Sequence, residues 1–215
     1  MKKGALMILP FLAGTLVVAA VFADWREVIS DDGAKRAEAS QRVIKDRREV
    51  IRYLLLAISS EEMQKNSRPA VVAAIELLGE IRASEAVTPL ADLLLYGATE
   101  GVEYPADGRI RKMKKMRNPR KNFPVVEALI KIGNPSLDEM ARVIAWAPKG
   151  YPGAFKRFHA RIVITEVLGY GLAAEFLRLK STQTAVDEHK KRLLEVRDQV
   201  LKIQEAINKN AAPPE

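Results

Sequence analysis

Val71-Val72-Ala73-Ala74-Ile75-Glu76-Leu77-Leu78-Gly79 has a counterpart 54 residues further on, Val125-Val126-Glu127-Ala128-Leu129-Ile130-Lys131-Ile132-Gly133. Val71, Ala74, Ile75 and Leu78, like Val125, Ala128, Leu129 and Ile132, follow the spacing that lines one face of an α-helix. A glycine closes each stripe. In both copies a second stripe follows at once, first Val87, Leu90, Ala91 and Leu94, then Leu137, Met140, Ala141 and Ile144. The recurring unit is therefore a helix pair. One pair cannot bury its apolar face without a neighbour, so the repetition predicts a stacked array. The expected fold class is all-α, a short α-solenoid of about three helix pairs with a long C-terminal helix.

Residues at the helix ends support this division. Ser67 is placed to cap the first repeat helix, with Pro69 in the first turn where its missing donor costs nothing. Gly79 falls late in that helix, where the lack of a side chain allows a close helix approach or a turn. Ser84 and Glu85 open the partner helix, and Pro89 confines its irregular start to about one turn. In the second copy Asn122 is the expected cap, Pro124 sits in the first turn, and Asn134-Pro135 restarts the chain after Gly133. A weaker third copy runs from Ala160 to Leu179. It has Ile164, Val167 and Leu168 before Gly169, and Ala173, Phe176 and Leu177 behind it. Arg161 and Thr165 replace apolar positions there, as terminal repeats often allow.

These phrases resemble HEAT repeats, in particular the short, phycobilisome-lyase-type variety. The likeness rests on residues 73–81 with Ala86-Val87-Thr88-Pro89-Leu90, and on residues 128–135. It covers roughly residues 67–95, 122–145 and 160–180 and implies helix-pair stacking. It implies no particular activity, because such repeats occur in scaffolds of unrelated function. A bilin lyase activity is disfavoured by the export signal described below.

Around the repeats, residues 24–66 read as a leading helical segment. From Glu38 to Ser59 one apolar face is marked by Val43, Val50, Tyr53, Leu54 and Ala57, with a charged solvated face between. The last segment, 181–215, carries a heptad seam of Val186, His189, Leu193, Val196, Val200, Ile203 and Ile207. Glu188 with Arg192, Asp198 with Lys202 and Glu205 with Lys209 stand four apart and support the helix modestly. A terminal helix folding back as a cap is favoured over self-association through residues 186–207, since stable coiled coils usually need more heptads.

Length and composition set the remaining bounds. A chain of 215 residues with 48% apolar residues can bury a substantial core. Lys2 and Lys3, the apolar run from Ala5 to Ala20, and Val21-Phe22-Ala23 have the three zones of a secretory signal peptide over residues 1–23, cleaved before Asp24. The competing reading is a retained membrane anchor. Cysteine is absent, which excludes disulfides, thiolate metal sites and thiol nucleophiles. An exported chain without disulfides fits the bacterial periplasm or envelope.

No catalytic signature emerges. His159 and His189 lack metal-ligand spacing, and no nucleophile elbow, phosphate loop or dinucleotide fingerprint is present. No metal, cofactor or enzymatic role is expected, although carboxylates such as Asp31, Asp32 or Glu103 could meet in the fold as an enzyme or accessory site. The unusual stretch is the basic loop 97–121. Arg109, Arg111, Lys112, Lys114, Lys115, Arg117, Arg120 and Lys121 fall within 13 residues with no acid among them. Val102, Tyr104 and Ile110 flank a turn and suggest a small hairpin. A second connection, Trp146 to Phe155, holds Trp146 and Tyr151. Both connections leave one pair and enter the next, so a stacked array puts them on one rim. The expectation is a noncatalytic scaffold whose rim docks a protein or anionic envelope component, with nucleic acid disfavoured by export. A membrane role applies only if the leader is retained, and a purely solvated loop is the alternative.

Overall fold

The computed structural model describes the backbone of residues 33–98 and 119–211 and the side chains of residues 46–98 and 119–210. Among these residues the chain is all-helical, with ten α-helices and two 3-10 turns. It divides into two compact units, Met1–Ala74 and Ile75–Glu215.

In the first unit α1 (Gly33–Ser59) buries Val50, Ile51, Leu54, Ala57 and Ile58, an i, i+1, i+4, i+7, i+8 stripe of helical period. Tyr53, expected on this face, is 51% exposed, and Ile51 and Ile58 take the buried positions instead. Val43 lies outside the described side chains. A break follows α1 where Ser60 caps α2 (Glu61–Asn66), its side chain accepting from the Met63 N–H at 3.3 Å. The Ser67 carbonyl then accepts from the N–H groups of Ala70 and Val71 and starts α3 (Arg68–Glu80), with Pro69 in the first turn as expected.

The boundary between the units falls within α3, whose four stripe residues are all fully buried. Gly79 does not end this helix. The chain turns at Arg82, a non-glycine residue at φ +49°. The Arg82 and Ala83 N–H groups donate to the Gly79 and Leu78 carbonyls, the two closing bonds of a Schellman turn. A 3-10 turn (Ser84–Ala86) leads into α4 (Val87–Asp92), and the second stripe, Val87, Leu90, Ala91 and Leu94, is buried.

The second pair has a different opening from the one expected. Pro119–Asn122 forms a four-residue helix, α5, so Asn122 ends that helix instead of capping the next. Phe123 occupies the N-cap position of α6 (Pro124–Ile132) without a side-chain bond, and its ring is fully buried. Burial of an aromatic decides this position where capping chemistry does not. Gly133, at φ +80°, ends α6 in a conformation that favours glycine. After a 3-10 turn (Asn134–Ser136), α7 (Leu137–Trp146) buries Leu137, Met140, Ala141 and Ile144.

The third pair is α8 (Tyr151–Leu168) and α9 (Tyr170–Gln183), joined at Gly169. It starts at Tyr151, so the connection after Trp146 is only residues 147–150. α4 packs on α6 and α7, and α8 on the same two helices. α10 (Asp187–Ala211) lies along α9 and also meets α8 and α7. Leu193, Val196 and Val200 of its seam are buried in these contacts, while Val186 and Ile207 at the ends are each 46% exposed. The helix thus folds back on its neighbours through the centre of the seam. Glu188 pairs with Arg192 at 3.3 Å, and Asp198 meets its neighbour Arg197 at 2.6 Å.

Candidate functional site

Gly79 and His159 bring the helix pairs together. A methyl group on Gly79 would lie 2.7 Å from the Ala128 Cα, so the bare backbone of α3 sets how closely α6 approaches. His159 is fully buried in α8, its ring centroid 4.5 Å from that of Phe123 and 5.8 Å from that of Phe158. Its Nδ1 lies 2.9 Å from the Leu94 carbonyl oxygen. A carbonyl only accepts, so the imidazole carries its proton on Nδ1. Burial pushes its pKa down to about 4 against the opposing effect of this bond. His159 therefore joins all three pairs as a neutral donor.

The feet of the basic loop are well defined. The Ala98 N–H donates to the Asn122 carbonyl at 2.8 Å, so the chain leaves and returns at one place. Arg120 is not an uncompensated cation. It donates to both Glu127 carboxylate oxygens, at 2.6 and 3.1 Å, and to Glu166 at 2.9 Å. The hydrogen bond to Glu127 raises the Arg120 pKa and lowers that of Glu127. This foot is tied to α6 by Glu127 and to α8 by Glu166, the latter 46 residues away in sequence. Tyr104, Arg109, Arg111, Lys112, Lys114, Lys115 and Arg117 lie outside the described residues, as do the hairpin positions Val102 and Ile110, the carboxylates Asp31, Asp32 and Glu103, and the leader 1–23.

Trp146 and Tyr151 are described, and both are open to solvent, at 65% and 46% exposure. The backbone around Trp146 is nevertheless tightly held. Ala145 and Ala147 are buried, and Arg192 of α10 donates to their carbonyls at 3.0 and 2.7 Å. Gly153 in the first turn of α8 sits so close that a methyl group would stand 1.7 Å from the Pro148 carbonyl oxygen. Arg157 lies in the same layer, its pKa held down by burial and by the like charge of Arg192. The indole itself rests against the His189 ring, centroids 4.5 Å apart and planes at 40°. The His189 Nδ1 is buried without a hydrogen-bond partner.

Beside Trp146 lies a depression of about 140 Å³. Ala91 and Asp92 at the end of α4 line it on one side, and Arg142, Val143 and Trp146 of α7, Ala147 and Pro148 of the connection and Lys156 of α8 on the other. Arg142 is held by both oxygens of Glu139, its Nε at 2.8 Å. That hydrogen bond raises its pKa, with a smaller attraction from Asp92. The ends of the second helices of the first two pairs thus meet at one edge. Sequence spacing misses Asp92, Arg142, Lys156 and Arg192 because each looks like one of many charges on a solvated helix face.

Among the described residues no group of His, Cys, Asp and Glu comes together in a way that could hold a metal. No helix among them is long and apolar enough to cross a membrane. Neither protein-family models, nor curated proteins, nor solved structures match the chain.

Proposed function

We propose that this chain is an exported, noncatalytic binding module, a short HEAT-like α-solenoid whose inter-pair connections dock an anionic protein or envelope component. The reading is carried by one observation, the depression lined jointly by the end of α4 and by the segment around Trp146. A stacked array requires successive connections on one edge. Glycine-mediated packing between α3 and α6 supports the stacking. The basic loop leaves the fold at Ala98 and rejoins it before Asn122, and its cations supply long-range attraction for an acidic partner. α10, which reaches past its own neighbour to α7, closes the far end as a cap.

Immobilised polyglutamate serves as the defined acidic probe. Replacing Arg111, Lys112, Lys114 and Lys115 with Gln lowers the salt concentration at which the full chain elutes. A charge-matched control with Gln at Lys190, Lys191, Lys202 and Lys209 of α10 stays close to the parent. Thermal midpoints change little in either, since exposed substitutions usually move stability by no more than about 0.5 kcal/mol. Equal elution of the two variants would contradict a docking role for the loop.

A further inference from the structure

Leaving an indole in water forgoes a large share of the roughly 150–250 Å² of burial that an aromatic side chain typically provides. At Trp146 this exposure is maintained by a rigid support of His189, Arg192 and the Gly153–Pro148 contact. A rigid, exposed aromatic presents a stacking surface without the ordering cost that a mobile one incurs on binding. We propose that the depression beside Trp146 binds a pyranose unit of a glycan, with the indole as platform and Asp92, Arg142 and Lys156 as polar contacts. The proposal rests on the reading of the inter-pair edge as the binding face.

The chemistry of the lining selects this class. Sugar hydroxyls both donate and accept, so one ring can donate to the Asp92 carboxylate and accept from the Arg142 guanidinium and the Lys156 ammonium. A purely apolar ligand would leave all three charges to be desolvated. The C–H face of a pyranose ring is apolar and flat enough to lie on an indole. The site is a shallow depression of about 140 Å³ that combines apolar surface with three charged groups, room for a single ring and not for a larger ligand. Glu139 fixes the direction of Arg142, so one of the polar contacts is held in place as the platform is.

Tryptophan emission of the full chain, titrated with tetramers of β-1,4-linked glucose and of β-1,4-linked N-acetylglucosamine, tests the assignment. Trp25 and Trp146 are the two tryptophans, and Trp146→Ala isolates the signal of Trp25. At least one saccharide is expected to change the parent emission saturably, and Trp146→Ala abolishes the response while keeping the parent thermal midpoint. Asp92→Ala weakens binding about tenfold, the loss of one hydrogen bond to a charged group. No saturable response to either saccharide, or a response that survives Trp146→Ala, overturns the glycan assignment. Retention on polyglutamate in that case leaves the edge reading standing. If neither saccharide nor polyglutamate binds, both readings fail.

Discussion

At His159 a single buried ring links packing to pH. Its pKa is lowered from an ordinary 6.5 to about 4 chiefly by burial, so the folded chain binds fewer protons than the unfolded chain between these values. Stability therefore rises with pH across that window, is fully present above about 6.5, and is lost as pH falls toward 4. The difference corresponds to about 3 kcal/mol. Urea unfolding at pH 7 and pH 4.5 measures most of it. His159→Gln keeps a donor for the Leu94 carbonyl but cannot titrate, so its pH dependence is smaller than the parent's. An equal slope in the two proteins would remove His159 as the cause. Gly79 and Gly133 also separate at this scale. They are equivalent in the repeat, yet Gly79 serves close packing at ordinary helical geometry, and Gly133 serves a turn at φ +80° with nothing within 4 Å of the place a methyl group would take.

Between elements, the stripes carry the stability of the helix packing. Leu78 and Ile132 hold the fourth position of each stripe and both are buried. Leu78→Ala and Ile132→Ala are each expected to cost about 2–5 kcal/mol. Chemical denaturation checks this, and midpoints equal to the parent's would show the repeat alignment to be wrong. These stripes are legible in the sequence because helical periodicity and burial report the same thing when a whole face is covered. Tyr53 and Asn122 escape such a reading because each depends on what lies nearby in space. Tyr53 fits the apolar period of α1 yet points outward, and Asn122 has capping chemistry but precedes a phenylalanine that the core takes in. The candidate edge is legible in part for the same reason. Trp146 and Tyr151 stand out as aromatics on either side of a Pro- and Gly-containing break, whereas Asp92 and Lys156 are brought to one depression only through packing of α4 and α8 around α7. The pairing of Arg120 with Glu166, 46 residues away, has no trace in local sequence.

For the molecule as a whole, export and docking are the two claims to test. Expression of the full chain with residues 1–23 in a bacterial host is expected to give a periplasmic chain beginning at Asp24, read by intact mass; full-length chain in the membrane fraction would favour a retained anchor. Docking is tested most directly by hydrogen exchange of the full chain with and without polyglutamate. Exchange protection reports local opening and burial along the backbone. Slowed exchange is expected in residues 91–98, 119–123 and 146–156, where the helix pairs meet at the shared edge. Protection confined to α9 and α10, with these connections unchanged, would contradict the account.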